Sequence, residues 1–342
     1  MTRLFALLLI LALALPMLPA ALADTPNPIP VLSDEEIPDT PSGIHHYMLI
    51  CIDSWDAQLK DQWVSQTGIW ANHTDGLILL TVDEYAHRVM LTSFIRDMLI
   101  MRPDGKYGRI NNFLDKDGWA YANKKNEYEG LQALVDTINS HFGLRVEKYI
   151  VVDFRQVENI INAVGGVDIN ITDREAHYLK NYSISASSTT PAIAAGGTYH
   201  FTGHAAVIYM RIRKVHTAEY LHADGKVYYD TQDYGRTYRD RLVLSSIADS
   251  LKDISYEDAM KLLDVIVANT VYTNMSTDDF LSALDLAMEM RGTQVEHIRM
   301  PIEGTYEEFP YAGMATKQID FVANREALQG FILDSFVVVD DE

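Results

Sequence analysis

Residues 76–95 read GLILLTVDEYAHRVMLTSFI, which is two apolar runs joined by the polar tetrapeptide EYAH. Each run has the length of a strand, and its apolar residues do not alternate with polar ones as they do in a sheet with one face in water. Such uniformly apolar runs are typical of strands that are covered on both faces. We therefore predict strands over about 76–83 and 88–95, in a sheet with helices on both sides.

Other strand and helix signals lie on either side of this stretch. Residues 46–53 (HYMLICID) and 149–153 (YIVVD) are predicted strands, and Asp153 followed by Gln156 predicts a capped helix that ends at Gly165-Gly166. The remaining predictions are helices over 131–142 (ending at Gly143), 202–209, 241–251 and 324–336, helices that open at Ser255 and Ser276, and strands over 167–172 and 295–302. Strands that alternate with helices indicate an α/β fold.

The composition is that of an ordinary globular protein. Of 342 residues, 48% are hydrophobic and 22% are charged, which excludes a disordered or collagen-like chain. The 28 Lys and Arg residues against 48 Asp and Glu give a formal charge of −20, which argues against a nucleic-acid partner. An anionic substrate would therefore need locally concentrated positive charge. The single cysteine, Cys51, permits neither an internal disulfide nor a Cys/His metal cluster.

The N-terminus has the pattern of an export signal. Arg3 precedes an uncharged, Leu- and Ala-rich run that ends in Ala-Leu-Ala at 21–23. We predict a signal peptide over 1–23, which leaves a secreted protein if it is cleaved; the alternative is an uncleaved membrane anchor. Residues 24–43, rich in Pro, Asp and Thr, are predicted to be a linker. Residues 44–342 are predicted to form a single catalytic domain, with a C-terminal extension from about 256.

Arginine is concentrated in a short part of the chain. Five of the sixteen arginines lie between 211 and 241, namely Arg211, Arg213, Arg236, Arg239 and Arg241. We predict that 236–241 opens a helix, where free backbone N–H groups and the helix dipole also favour an anion. A guanidinium group matches phosphate oxygens and keeps its charge. The alternative is a solvated face paired with Asp230, Asp233 and Asp240.

Acidic residues lie at the ends of the predicted strands. Asp53 ends the first strand, Asp75 precedes the second, and Arg96-Asp97 follows the third. Carboxylates at such an edge are suited to Mg²⁺, which prefers oxygen ligands and substrate phosphates. The alternative is that each aspartate only terminates a strand or caps a turn.

These motifs occur in the order typical of one family, the LytR–CpsA–Psr family of cell-envelope phosphotransferases, which the chain resembles over about residues 45–255. The matching segments are IDS at 52–54, TD at 74–75, SFIRD at 93–97, GRIN at 108–111, YIVVDF at 149–154 through VGGV at 164–167, GHAAVIYMRIR at 203–213 and DYGRTYR at 233–239. The resemblance implies a three-layer α/β/α sandwich with a central mixed sheet, outside the cytoplasmic membrane.

The resemblance also implies an activity and a set of site residues. Members of the family move a phosphate-linked glycopolymer, of the teichoic acid or capsular polysaccharide type, from a polyprenyl diphosphate carrier at the membrane surface to peptidoglycan. Asp53 and Asp75 would hold Mg²⁺ or Mn²⁺, and Asp75 or Asp97 would take the proton of the acceptor hydroxyl. The diphosphate would be bound by Arg96, Arg109, Arg211, Arg213, Arg236 and Arg239, of which Arg96, Arg211 and Arg213 are also expected to be catalytic. Helix faces near 131–142 and 154–164 would line a slot for the lipid tail.

Four residues depart from the family pattern. Ile95 replaces a proline, Arg109 a lysine, His73 an arginine and Asp240 a glutamine. Asp240 would weaken diphosphate binding if it pointed inward, unless Arg241 pairs with it. Two alternatives therefore stay open: a module that binds the polyprenyl phosphate without transferring anything, and a diphosphatase that uses water as acceptor.

Overall fold

The strands and helices that the sequence predicted are present over most of the chain. The computed structural model describes residues 25–53, 73–115, 118–180, 193–221 and 225–333, so the predicted signal peptide at 1–23 lies outside the described residues. The strands are β1 (Ile44–Ile52), β2 (Thr74–Asp83), β3 (Arg88–Phe94), β4 (Leu99–Met101), β5 (Tyr107–Arg109), β6 (Lys148–Asp153), β7 (Val167–Ile171), β8 (Gly197–Phe201), β9 (Tyr220–Leu221), β10 (Val227–Tyr228), β11 (Tyr272–Thr273), β12 (Val295–Met300), β13 (Tyr306–Glu308) and β14 (Lys317–Ile319).

The helices connect and cover these strands. They are α1 (Trp119–Ala122), α2 (Glu127–Phe142), α3 (Phe154–Ala163), α4 (Asp173–Leu179), α5 (Gly203–Met210), α6 (Gln232–Ser250), α7 (Tyr256–Ala268), α8 (Thr277–Glu289) and α9 (Phe321–Ile332), with a 3₁₀ turn at Ile110–Asn112. None of the helices in the described ranges has the length and apolar character needed to cross a membrane.

Six of the described strands form a mixed sheet in the order β11-β6-β1-β2-β3-β12. The pairs β1–β2, β2–β3 and β6–β11 are antiparallel, whereas β1–β6 and β3–β12 are parallel. The α/β fold with a central mixed sheet is therefore confirmed. Residues 167–171 are a strand as predicted, but β7 pairs with β8 in a separate two-stranded sheet.

The predicted helix caps are formed. Gln156 N donates to Asp153 Oδ1 at 2.9 Å, and Asp153 N donates to Gln156 Oε1 at 2.7 Å, so the capping box orients α3 directly after β6. Ser255 and Ser276 cap α7 and α8. Helix α2 ends at Gly143, whose φ of 66° is the left-handed conformation that glycine adopts without strain.

Helix α6 begins earlier than predicted, and this is a correction with consequences for the arginines. It starts at Gln232, so Arg236 and Arg241 lie inside the helix and not at its N-terminus. The predicted contribution of free N–H groups to an anion site at 236–241 is therefore wrong. Residues 232–240 are buried largely through contacts between charged side chains. They therefore lack the apolar periodicity that predicts a helix, and the hydrophobic pattern does not reveal the first turns of α6. Helices α2 and α9 also begin earlier than predicted, at Glu127 and Phe321.

The two faces of the sheet are covered differently. On one face Met48, Ile50 and Ile52 of β1 pack with α2 and α9 in one continuous core. On the other face Tyr47 and Leu49 of the same strand line cavities beneath a second set of helices, α3 and α5–α8. The residues alternate between the two faces as the period of a strand requires.

The two ends of the described chain are packed onto this sheet. Residues 25–43 contain no helix or strand, yet Ile29 and Ile37 are buried, and Leu32 N donates to Ser140 O at 2.9 Å. The segment called a linker from its composition thus lies against α2. Beyond residue 256, β11 and β12 form the two edges of the central sheet, so this region contributes to the core of the fold.

Candidate functional site

The charged residues of interest meet at one edge of the central sheet. Parallel strands β1 and β3 end there, and β2 begins there. Ile52 pairs with Thr74, which sets Asp53 and Asp75 on neighbouring strands, and Asp53 N donates to His73 O at 2.9 Å. Arg96 and Asp97 follow β3 at the same edge. The structure therefore confirms the prediction that the two pairs, Asp53 with Asp75 and Arg96 with Asp97, converge at one edge of the sheet.

Asp75 is held by two arginines from different elements. Its Oδ1 accepts a hydrogen bond from Arg96 Nη1, and its Oδ2 accepts one from Arg236 Nη1 at 2.8 Å. Arg236 Nη2 also donates to the backbone carbonyl of Asp75. Burial would raise the pKa of Asp75, but the charges of Arg236 and Arg96 outweigh it and hold the pKa below its ordinary value. Asp75 is therefore ionised and fixed in position.

Asp233 joins the two arginines and was not singled out as a site residue from the sequence. It accepts from Arg96 N at 2.9 Å, lies 3.3 Å from Arg96 Nε and 2.9 Å from Arg236 Nη2, and is itself buried. Its place three residues before Arg236 on one helix face was the signal that could have identified it. Asp233 and Asp75 together orient the guanidinium groups of the site.

Arg213 differs from Arg96 and Arg236 because its side chain forms no ion pair at contact distance among the described residues, although the charges of Asp233 and Asp75 act on it. Its Nε is buried without a hydrogen bond, and burial together with the charges of Arg96 and Arg236 lowers its pKa. Its backbone is fixed, since Gln232 N and Thr231 Oγ1 both donate to Arg213 O. Three guanidinium groups thus lie close enough to repel one another, which concentrates positive charge locally in a protein of charge −20, although Asp75 and Asp233 offset part of it.

Asp53 lies close enough to Asp75 and Arg211 for both charges to act on it. Burial, and then the negative charge of Asp75, raises the pKa of Asp53, while Arg211 lowers it. The Arg211 guanidinium is 4.6 Å from the ring of Phe154, at the start of α3. Both predicted phosphate ligands of the segment 211–213 are therefore at the site.

The two carboxylates fit a divalent cation of the Mg²⁺ type. They are oxygen donors whose mutual repulsion a cation would relieve, and the described residues offer no cluster of three or more His, Cys, Asp and Glu side chains that would favour another metal. Mg²⁺ commonly takes only one or two protein carboxylates and completes its shell with water and phosphate oxygens. Asp53 and Asp75 would be those two ligands.

Asp97 and Arg109 form a further ion pair at the rim. Arg109 Nη1 lies 3.2 Å from Asp97 Oδ1, and Arg109 Nε donates to Asn111 Oδ1 at 2.6 Å. Burial, and then the charge of Asp233, raises the pKa of Asp97 despite the opposing arginines. Asp97 therefore holds its proton more readily than Asp75 does.

Arg239 does not belong to the site, and its predicted role as a phosphate ligand is corrected. It is 0% exposed, and its Nε lies 2.7 Å from Glu175 Oε1. Its two terminal nitrogens donate to the carbonyl oxygens of Ile212 at 2.9 Å and Val215 at 2.8 Å. Arg239 faces away from the cluster and fixes the backbone on both sides of Arg213.

An apolar cavity of about 300 Å³ begins at the charged edge. Asp75, Arg211, Arg236 and Asp240 lie on its wall, which is otherwise almost entirely apolar. A second cavity of about 380 Å³ lies against the same sheet face. Both are lined by Leu49, Ile150, Leu244, Ile247 and Ile266, so the two adjoin.

The lining of these cavities corrects one expectation about the lipid slot. Phe154, Val157, Ile160 and Ile161 of α3 line the smaller cavity, as the resemblance implied for 154–164. The helix over 131–142 does not, because its apolar residues pack on the opposite face of the sheet. The amphipathic pattern of α2 reports burial but not which face of the sheet it covers.

Two of the family departures have distinct surroundings. His73 Nε2 lies 3.3 Å from Asp115 Oδ2, beside the start of β2. Asp240 lies on the wall of the smaller cavity, which is the inward position that would weaken diphosphate binding. Arg241 does not form an ion pair with it, because the Arg241 side chain donates to Ser93 Oγ.

The chain is similar in sequence to one family and to several of its members. The sequence model of the LytR_cpsA_psr family matches residues 55–327. Biofilm regulatory protein A of Streptococcus mutans is 26% identical over 221 residues, which are 64% of this chain and 47% of that protein. The polyisoprenyl-teichoic acid–peptidoglycan teichoic acid transferase TagU of Enterococcus faecalis is 23% identical over 248 residues, 72% of this chain and 68% of that one. The chain thus spans about half the length of the first relative.

A solved structure shares the fold. The structure of TagT bound to LIIa-WTA superposes with a TM-score of 0.62 at 18% identity, covering 89% of this chain and 96% of that one.

Proposed function

This chain belongs to the LytR_cpsA_psr family, and we therefore propose that it is an extracytoplasmic phosphotransferase. It moves a phosphate-linked glycopolymer, of the teichoic acid or capsular polysaccharide type, from a polyprenyl diphosphate carrier to peptidoglycan. The name of the Enterococcus faecalis relative, a polyisoprenyl-teichoic acid–peptidoglycan transferase, supports this donor and this acceptor. The export signal predicted at 1–23 would place the domain at the outer face of the cytoplasmic membrane, where such a carrier is found.

One observation carries the proposal: arginine side chains lie at one end of an apolar cavity. Arg211 and Arg236 lie on the wall of the cavity, and Arg96 and Arg213 are close enough to Arg236 for the three charges to interact. The cavity, of about 300 Å³, is otherwise almost entirely apolar and large enough for prenyl units. A ligand with a charged head and an apolar tail matches both parts. A water-soluble sugar nucleotide or a nucleic acid would leave the cavity wall unused.

The arginines would act on the diphosphate by positioning it and neutralising its charge. Phosphoryl transfer needs little covalent help from a protein, and most of its catalysis comes from these two effects. Arg96 and Arg236 are already oriented by Asp75 and Asp233, so little reorganisation is needed when an anion enters. Arg211 lies on the cavity wall, and Arg109 forms an ion pair with Asp97 at the rim.

Asp53 and Asp75 would hold Mg²⁺ or Mn²⁺ beside the diphosphate. When bound, such an ion supplies positive charge to the oxygen atoms on which negative charge develops. Asp75 stays ionised because its two arginines lower its pKa, so it is suited to a ligand role.

Asp97 is the better candidate for the group that accepts the proton of the attacking sugar hydroxyl. A general base works best when its pKa lies closer to the working pH. The pKa of Asp97 is raised, whereas that of Asp75 is lowered and both Asp75 oxygens accept hydrogen bonds from arginines. The bond that forms joins the hydroxyl oxygen to the phosphorus of the glycopolymer, and polyprenyl phosphate leaves.

A reconstituted transfer reaction tests this function. Full-length protein is incubated with Mg²⁺, a polyprenyl diphosphate-linked glycopolymer and peptidoglycan, and polymer that becomes covalently attached to the peptidoglycan is measured. We expect attachment by the wild type and loss of about ten- to hundredfold in Arg213→Ala, since a charge-assisted hydrogen bond is worth about 1.5–3 kcal/mol. Lys214→Ala is the matched control, because Lys214 is exposed and is the next residue along the chain.

Two results would contradict transfer and favour the alternatives. Release of the polymer phosphate into solution without attachment identifies a diphosphatase. Tight binding of the intact carrier with no chemical change identifies a binding module.

A further inference from the structure

Asp240 is a buried carboxyl group on the wall of the smaller cavity, at its charged end. It lies one helical turn after Arg236 on α6 and is only 6% exposed. Within the described part of the chain it makes no hydrogen bond and no ion pair, and the neighbouring Arg241 is directed to Ser93. Burying a carboxylate without a partner costs free energy. The group is therefore stabilised either by keeping its proton or by binding a ligand that forms a hydrogen bond with it.

The charged and titratable groups around Asp240 come from several elements. They are Cys51 on β1, Asp75 on β2, Arg211 after α5, and Asp233, Arg236 and Arg241 on α6. Burial raises the pKa of Asp240 to about 7; Arg236 opposes the shift, and Asp233 and Asp75 add to it. Burial also raises the pKa of Cys51 well above its ordinary value, while Asp75 has a lowered pKa. Near neutral pH, Asp240 changes charge while Cys51 stays neutral and Asp75 stays ionised.

We propose that Asp240 contacts the phosphate group at the junction of the charged edge and the apolar cavity, and that this contact is coupled to a proton. With its proton, the carboxyl group donates a hydrogen bond to a phosphate oxygen. Without it, the carboxylate repels the same oxygen. The inference rests on the proposed function, because it assumes that the ligand is an anion with an apolar tail.

The coupling has a defined sign. An anion in the site stabilises the protonated form of Asp240, so binding takes up a proton when the free protein has lost it. Affinity is constant well below pH 7 and falls by up to tenfold for each pH unit above it. An amide at this position would donate at every pH, so the aspartate makes the site sensitive to the acidity outside the membrane.

Isothermal titration with farnesyl diphosphate at pH 6 and pH 8 tests the proposal in the full chain. We expect the wild type to lose about tenfold more affinity between these pH values than Asp240→Asn, whose amide cannot ionise. The titration of the probe itself is common to both proteins and cancels in this comparison. Repeating the pH 8 titration in two buffers of different ionisation enthalpy should show uptake of nearly one more proton by the wild type than by the variant.

Asp249→Asn is the matched control, because Asp249 is an exposed aspartate on the same helix, and its profile should follow the wild type. Asp240→Gln serves as a second amide if the melting temperature of Asp240→Asn shows misfolding. Parallel pH profiles for the wild type and the amide variants, with binding intact, overturn this inference alone. Failure of the wild type to bind the probe at pH 6 overturns the proposed function, and this inference with it.

Discussion

The two faces of the central sheet are made by the same strands and differ in how they are filled. Met48 of β1 is completely buried in one core with the side chains of α2 and α9. Leu49, the next residue, lies on the opposite face and lines both cavities. We call the side under α2 and α9 the filled face and the side with the two cavities the hollow face. The filled face stabilises the fold, whereas the hollow face keeps apolar surface available next to the charged edge.

This difference identifies the face on which the proposed binding site would cost the protein stability. Unfilled apolar walls lose the dispersion contacts that a packed interior would provide. A cavity lined almost wholly by apolar side chains is also a poor site for water, which needs polar partners. The hollow face is therefore suited to an apolar chain, and its position beside Arg211 and Arg236 fixes where the charged end of that chain must lie.

Truncating one residue on each face should give the largest contrast. Met48→Ala is expected to lower the free energy of unfolding by about 2–5 kcal/mol, because it opens a new cavity in a packed core. Leu49→Ala should cost about 1 kcal/mol, since its side chain already borders empty space. Denaturant unfolding of the two variants measures the difference. Equal losses would mean that the two faces are equally well packed.

Filling the hollow face should separate tail binding from head binding. Ile150 lies where the two cavities adjoin, and Ile150→Trp is expected to weaken farnesyl diphosphate binding by about tenfold, because roughly two buried methylene groups are worth this much. Binding of inorganic pyrophosphate to the same variant serves as the control and should stay at the wild-type level. Equal losses for both ligands would place the tail somewhere else.

Filling the cavity of about 380 Å³ should have the smallest effect on ligand binding, and only for carriers with a long tail. Leu263→Trp fills space beneath α7 and α8, at a distance from the charged edge. We expect about a threefold loss of affinity for an undecaprenyl diphosphate in detergent, since the displaced end of the chain finds an equally apolar place in the micelle. Farnesyl diphosphate should be unaffected because its tail is short. A loss for the short ligand instead would show that the tail runs in another direction.

The sequence predicted the elements of the fold better than the way they fill space. The apolar runs at 76–95 and the capping box at Asp153 gave the strands and the start of α3, because these signals are local. Whether a face is filled depends on helices distant in the chain, so α2 was expected on the cavity that α3 lines. The apolar periodicity of a helix shows which of its sides is buried, but it does not show which face of the sheet that side packs against.

The site was predictable to the extent that its residues follow strands. Asp53, Asp75, Arg96 and Asp97 meet because register places strand ends together. Arg239 was misassigned because a position in a motif does not give the direction of a side chain, and here the side chain turns toward Glu175. Asp233 was overlooked as an organiser because its partner Arg96 is 137 residues away.

Photocrosslinking tests the central claim, that the hollow face holds the apolar tail of a ligand whose charged head binds the arginines. A benzophenone-bearing prenyl diphosphate is irradiated with the full-length protein, and mass spectrometry locates the labelled peptides. We expect labels on α3 and α5, within 154–163 and 203–210, that unlabelled farnesyl diphosphate competes away. Labels confined to α2 at 127–142, or labels that no competitor reduces, would contradict the central claim.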